Sequence, residues 1–512
     1  MAAALDRTKV TDREAPHLLA ATADALGHDI QELPLSRSSI RRARMQYREE
    51  FATDLRSKFT PSSALVVHWD GKLLPDITGK QKVDRLPVIV SGVETEQLLG
   101  VPKITSGTGE AQAAAVVRCI DDWNVRDIIR GLCFDTTASN TGQYAGACSL
   151  IQKALDRELL HLACRHHIME IVAEKAFSIM KIATSTGPDI LLFKRFQDNW
   201  NRIDQSNFQT AADAVETADF KARIIHFAET NIEIHQPRDD YRELLELAII
   251  FLGGTPRRGV HFTAPGALHR ARWMARIIYS FKMWMFRSQF KLKAGEEKGI
   301  FQFLLFICDV YIEAWFQAPR AVTAPANDLR LLRQLSEYRN QAIRQATVTA
   351  FNRHLWYLSE ITIGLAFFDP QIDFSEKQTM ISNMQRVQAG SDHPPPRLDS
   401  KFVDASQPLS AFVTTNTRKF FEILQLSDAF LKLSPEQWKE NSDYVASEQI
   451  VSALTVVNDS VERGVKLIQD YNSLLTKNEE QKQYLLQVVQ EHRHKFPDSK
   501  KGTLLLGLSK AE

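Results

Sequence analysis

ALVVHWDGK, residues 64–72, is the stretch on which the fold turns. Leu65, Val66, Val67 and Trp69 form a short apolar run of β-formers closed by Gly71, which reads as a buried strand. It ends in Asp70, a carboxylate set beside apolar surface, where an unpartnered charge is costly to desolvate. Working outward, RLPVIVSG (85–92) reads as a second strand, QLLGVPKI (97–104) as a third, IIRGLCFDTT (128–137) as a fourth and ELLHLACRHH (158–167) as a fifth. Helical spacing falls on EAQAAAVVRCIDDWN (110–124), YAGACSLIQKALDR (144–157) and IMEIVAEKAFSIM (168–180). The order is β-β-β-α-β-α-β-α. Three tightly connected strands make an antiparallel meander, and the helix after the third is a right-handed crossover that lays the fourth strand parallel to an earlier one. The expected class is α/β: a mixed five-stranded sheet interrupted by a large all-α insertion.

The rest of the chain is read in the same way. Residues 1–62 are helical and polar, 63–185 carry the sheet, 186–348 form the all-helical insertion, 349–390 end the core, and 391–512 are a helical C-terminal region and tail. RHLWYLSEITIGLAFF (353–368) reads as a strongly apolar helix and SDHPPPRLDS (391–400) as the clearest linker. With 512 residues, the chain has material for about three domains. Lys plus Arg is 63 and Asp plus Glu is 62, so net charge gives no general argument for nucleic acid, and local clusters must supply it. One such cluster is SRSSIRRARMQYR (36–48), with Arg37, Arg41, Arg42, Arg44 and Arg48 and no acid; it reads as a solvated helix face, a nuclear-import patch or a phosphate-contacting arm. Five cysteines without a CxxC pair fit a reducing compartment. No apolar run is read as approaching the roughly 20 residues that span a bilayer, and the charged N-terminus lacks the apolar core of a signal peptide. The expectation is a soluble, intracellular protein that does not engage a membrane.

The candidate chemistry rests on carboxylates. Asp135 ends the fourth strand as Asp70 ends the first, and neighbouring parallel strands would bring them together. Two adjacent carboxylates repel unless a divalent cation lies between them, and hard oxygen ligands suit Mg²⁺ or Mn²⁺. Taken singly, each Asp also reads as a turn residue, Asp70-Gly71 as a turn dipeptide and Asp135-Thr-Thr as an Asx turn. A two-metal site needs a third acid. Glu360, inside LWYLSEITIGLAFF, is the leading candidate, and Glu376, after a Ser375 cap, is its rival.

These features together resemble the ribonuclease-H-like catalytic core of hAT-type DNA transposases. The likeness rests on the element order, the Asp of HWDGK, the Asp of FDTTASNTG, Cys164-Arg-His-His167, and the Arg272-Trp273 pair within a long helical insertion, and it covers roughly residues 64–380. It implies that Asp70 and Asp135 are the first two acids of a D-D-E triad with Glu360 or Glu376 the third, that Cys164 and His167 support that site, and that Arg272 and Trp273 hold DNA. The family's zinc finger has no counterpart, since the first cysteine is Cys119.

Composition adds to the DNA reading. Between Leu247 and Gly295 there are nine basic residues, Arg270, Arg272 and Arg276 among them, and no acid; Phe262, Trp273, Tyr279, Phe281, Trp284, Phe286 and Phe290 are interleaved. Basic side chains neutralise phosphates and aromatic faces stack on unpaired bases, although the same pattern also describes a helix with its aromatics turned inward. The expected function is divalent-metal-dependent DNA cleavage and strand transfer by a nuclear homo-oligomer. The alternative is a domesticated, transposon-derived binding protein that no longer cuts.

Overall fold

A computed structural model describes residues 1–77, 81–182, 190–234, 238–266, 273–386, 395–398, 403–472 and 474–497. Among them are eight strands: β1 (Leu65–Trp69), β2 (Lys72–Pro75), β3 (Lys82–Arg85), β4 (Val88–Gly92), β5 (Thr95–Gly100), β6 (Lys103–Ile104), β7 (Ile129–Phe134) and β8 (Leu160–Ala163). Five form a mixed sheet in the order β5-β4-β1-β7-β8. β1 runs antiparallel to β4, β4 antiparallel to β5, and β1 parallel to β7. Every residue of β1 and β7 is buried, as expected of central strands covered on both faces. The meander and the parallel crossover therefore form as the sequence pattern predicts.

The stretch 97–104 differs from its reading as one strand. β5 stops at Gly100, and after Val101-Pro102 the chain enters β6, which pairs with β3 in a separate three-stranded sheet, β2-β3-β6. Pro102 has no N–H for a ladder and separates the two pairings.

By contact density the chain divides into two compact units, Met1–Leu159 with Asn458–Glu512, and Leu160–Val457. The first unit is discontinuous, and its core shows why both segments are needed. Leu74, Ile89, Leu98 and Val101 pack against Val461, Leu467, Ile468, Tyr471, Leu485, Leu486 and Val489. The last seven come from the helices Asp459–Tyr471 and Glu479–Lys495, whose apolar stripes cover the sheet. Buried Arg85 pairs with Glu479 at 2.6 Å, tying the small sheet to the second of them.

The arginine run of 36–48 lies on the helix Arg37–Lys58, started by Ser36. Its two faces have separate fates. Arg44 and Arg48 are buried and both bind Asp6, which is wholly inaccessible. Arg44 also reaches Asp12 at 2.8 Å. These two are therefore structural and not solvated, because a carboxylate more than 35 residues earlier neutralises them.

In the second unit β8 is the one named strand among the described residues, and the other regular elements are helices. The helix Arg165–Ile179 packs along Gln341–Phe351. Its first residue, Arg165, forms a buried ion pair with Asp328 at 2.5 Å. One continuous helical run, Ala294–Gln317, is 24 residues long and contains an 18-residue window with a mean hydropathy of 1.5, so a run of spanning length and composition does exist, contrary to the sequence reading; 67% of that window is buried inside the protein. It contains a wider turn at Ile307–Tyr311.

The segment 353–368 is not an α-helix. It makes turns and then a 3₁₀ stretch, Thr362–Phe368, all of it buried. Phe367 and Phe368 enter an aromatic cluster with Phe420, Phe421, Phe430, Trp438 and Tyr444. Gly364 lies so close to Phe420 that a Cβ would come within 2.5 Å of the ring. A segment buried on all sides carries no amphipathic period, and apolarity alone did not distinguish the two helix types.

Candidate functional site

Parallel pairing sets Val66 beside Gly131, Val67 beside Leu132 and His68 beside Cys133. Continued two residues, this register sets Asp70 beside Asp135, each just past the C-terminal end of its strand. The intervening pair, Trp69 and Phe134, stacks with ring centroids 5.9 Å apart, so the register is kept to the strand ends.

Each Asp also has a protein partner. Asp70, 18% exposed, has Oδ2 3.1 Å from Lys72 Nζ. Asp135 makes the Asx turn that its sequence allows. Its Oδ1 accepts from the Thr137 backbone N–H (3.1 Å), the Thr137 hydroxyl (2.6 Å) and Asn140 Nδ2 (2.6 Å). The Asn140 side-chain oxygen in turn accepts from Trp69 Nε1 at 2.9 Å, which joins the loop after β7 to β1. All of these bonds fall on one oxygen, and Oδ2 of Asp135 accepts none among the described residues. Lys72 at Asp70 marks that carboxylate as a place that takes a cation, and hard oxygen donors on adjoining strand ends fit a divalent one.

Sequence reasoning missed the residue that ties these strand ends together. Asn458, buried, is the first residue of the returning segment of the first unit. Its Oδ1 accepts from Cys133 Sγ at 3.1 Å and lies 3.4 Å from His68 Nδ1, and its Nδ2 donates to the Trp69 carbonyl at 3.3 Å. Nε2 of His68 is 2.7 Å from the Ser91 hydroxyl. Asn458 thus spans β1 and β7 immediately below the two Asp positions. Burial holds the His68 pKa down to about 4, so the ring is neutral near pH 7. The available signal was a His inside an apolar strand, which needs polar partners, but its partner lies 390 residues away. Asn458 is followed by Asp459 and Glu462, on the helix that lies against β4.

The other predicted site residues lie in the second unit. Glu360 Oε2 accepts from the Thr414 hydroxyl at 2.9 Å and from Asn416 Nδ2 at 2.7 Å, so it is held by neutral donors. Glu376 Oε1 accepts the Ser410 backbone N–H at 2.7 Å; its helix, Phe374–Gln385, is capped by Asp373 and not by Ser375. Cys164 precedes the helix Arg165–Ile179 and packs with Ala318 and Val457. His167 Nδ1 is 3.5 Å from Glu170 Oε2 on the same helix. Its neighbour His166 stacks flat on Trp315, 3.7 Å between centroids. Among the described residues no three His, Cys, Asp or Glu side chains are grouped as a metal ion requires.

Arg270, Arg272 and the Trp273 side chain lie outside the described residues. Arg276 is described: it is mostly buried, 3.9 Å from Glu174, with its guanidinium over the Phe177 ring. Elsewhere in that basic stretch Lys282 is buried against Glu243, Arg287 pairs with Glu297 at 3.0 Å and Arg257 with Glu233 at 2.8 Å. Phe262, Tyr279, Phe281, Trp284, Phe286 and Phe290 are all buried. Here the inward-facing reading holds: these six rings are core, and acids from outside the stretch take up much of its charge. In comparison with known proteins, no family model matches this chain and no match to a curated protein is found.

Proposed function

We propose that the chain is a transposase-like protein with a ribonuclease-H-like core that cleaves and transfers DNA strands at a carboxylate site built on Asp70 and Asp135. The single observation that carries this reading is the parallel β1–β7 register, which brings two acids 65 positions apart in sequence to adjoining strand ends. The sheet order gives further support, with the meander's first strand lying beside the fourth.

Asp70 and Asp135 would hold Mg²⁺ or Mn²⁺. When bound, such ions supply activation of water or of a DNA 3′-hydroxyl, and charge stabilisation at the leaving oxygen. The chain's own residues have separable parts in this. Thr137 and Asn140 fix one oxygen of Asp135 and leave the other open. Lys72 neutralises Asp70 and must yield it to a metal. The third carboxylate is Glu360, with Glu376 its rival, by the sequence reading; Asp459 and Glu462 are further candidates within the same unit as the two aspartates. Arg270, Arg272 and Trp273 remain the proposed DNA contacts of the helical insertion, whereas Arg276 is taken up by Glu174 and the Phe177 ring.

Asp70→Asn and Asp135→Asn should each abolish Mn²⁺-dependent nicking of a DNA duplex and leave DNA binding in place. Glu360→Gln and Glu462→Gln, assayed side by side, identify the third acid. Aspartate variants that cut as fast as the parent would end the proposal. The capture of Asp70 by Lys72 and of Asp135 by its own loop favours one second reading, a transposon-derived protein that binds DNA without cutting, for which the parent itself shows no metal-dependent nicking.

A further inference from the structure

A cleft of about 380 Å³ in the first unit brings together side chains from three separate stretches: Arg13, Arg37, Arg41 and Lys477, with Asp12 and Leu475 beside them. That is room for about a dozen waters, and so for a phosphate with its ester oxygens. All four cations are exposed, and none has a hydrogen bond or ion pair to another side chain among the described residues. The one acid, Asp12, is engaged by the buried Arg44 at 2.8 Å. The cleft therefore concentrates positive charge that the protein does not itself neutralise.

The placement of that charge is unfavourable for the fold taken alone. Arg37 is the first residue of the 22-residue helix Arg37–Lys58, and Arg41 is one turn on along the same face. Cations in a first turn oppose the helix dipole, and like charges four residues apart repel. An anion in the cleft relieves both. The lining offers no exposed aromatic ring and a single half-buried leucine, so the apolar insertion that a membrane surface rewards is missing.

We propose that this cleft is a binding site for the phosphodiester backbone of a nucleic acid, separate from the carboxylate site. The choice of nucleic acid over a free polyphosphate rests on the function proposed above; the charge argument does not.

The test uses the full chain in EDTA, where no cutting occurs. Binding of a labelled 30-base-pair duplex, and separately of inorganic tripolyphosphate, is followed from low to high salt for the parent, for Arg37→Ala/Arg41→Ala, and for the charge-matched Arg118→Ala/Lys153→Ala on exposed positions outside the cleft. Each lost phosphate contact lowers the log–log salt slope by about 0.9, so the cleft variant should be shallower by about 1.8 and, at 0.1 M salt, roughly 60-fold weaker on the duplex. The control should keep the parent's slope. A cleft variant that matches the control overturns the proposal, as does one that loses tripolyphosphate and keeps the duplex. Duplex binding through the cleft by a parent that never nicks DNA supports the cleft and removes the cleavage reading. Nicking with an unchanged salt slope in the cleft variant does the reverse.

Discussion

Asn458→Ala removes the side chain that bridges β1 and β7, and its cost follows from the bonds lost. The Trp69 carbonyl loses a donor, the Cys133 thiol loses an acceptor and His68 Nδ1 loses a neighbour, all inside fully buried strands. Stranding a buried polar group costs about 1–3 kcal/mol; the contacts to Trp69 and His68 are long, at 3.3 and 3.4 Å, and a thiol is a weak donor, so the low end applies to each. A total of about 2–3 kcal/mol makes local opening roughly 30- to 160-fold more frequent, at about 1.4 kcal/mol per decade. Hydrogen exchange read by mass spectrometry on peptides spanning Leu65–Trp69 and Ile129–Phe134 measures this directly, with β2 and β3 as the internal reference. If the carboxylate reading is right, Mn²⁺ affinity falls in the same variant, because the strand ends that carry Asp70 and Asp135 are no longer tied. Unchanged protection in both peptides, or a loss spread evenly over the whole unit, would refute the bridging role.

Two other perturbations bear on the same unit. Because burial lowers the His68 pKa from 6.5 to about 4, the folded chain takes up that proton less readily than the unfolded one. Stability from this group is complete above the unfolded value and is lost as pH falls toward the folded one, by up to about 3 kcal/mol; His68→Gln should flatten that limb of a pH–stability curve, and an unaltered limb would count against a buried neutral ring. Gly109 begins the helix after Thr108, and a Cβ there would lie 2.2 Å from the Ala145 carbonyl oxygen. Gly109→Ala should therefore cost about 1–3 kcal/mol and disturb the loop that follows Asp135, seen as a lower melting temperature; an unshifted midpoint would contradict that packing.

The parts of the fold that could be read in advance share a physical cause. β1 and β7 are short, mostly apolar and followed at once by a carboxylate, so their burial, their adjacency and the alignment of Asp70 with Asp135 all follow from local pattern and crossover handedness. What escaped the reading depends on distant partners. Arg44 and Arg48 look like solvated charge until Asp6 is placed beneath them. Glu360 looks like a stranded acid in an apolar helix until Thr414 and Asn416 supply donors across 54 and 56 residues. The six buried rings of the basic stretch show that periodic aromatics are core first. The bridging role of Asn458 could not be read at all, since nothing near it in sequence distinguishes it from any other asparagine before a helix.

The discontinuity of the first unit has a consequence during synthesis. Its sheet strands up to β7 leave the ribosome early, but the side chains that cover them, from Val461 to Val489, follow only after roughly 300 further residues. At about 5–20 residues per second that is a wait of roughly 15–60 s with an apolar sheet face uncovered. The nascent chain therefore has a stated interval in which it is a client for chaperones, and a message truncated anywhere before that last segment would yield a half-built sheet with no means of closing itself.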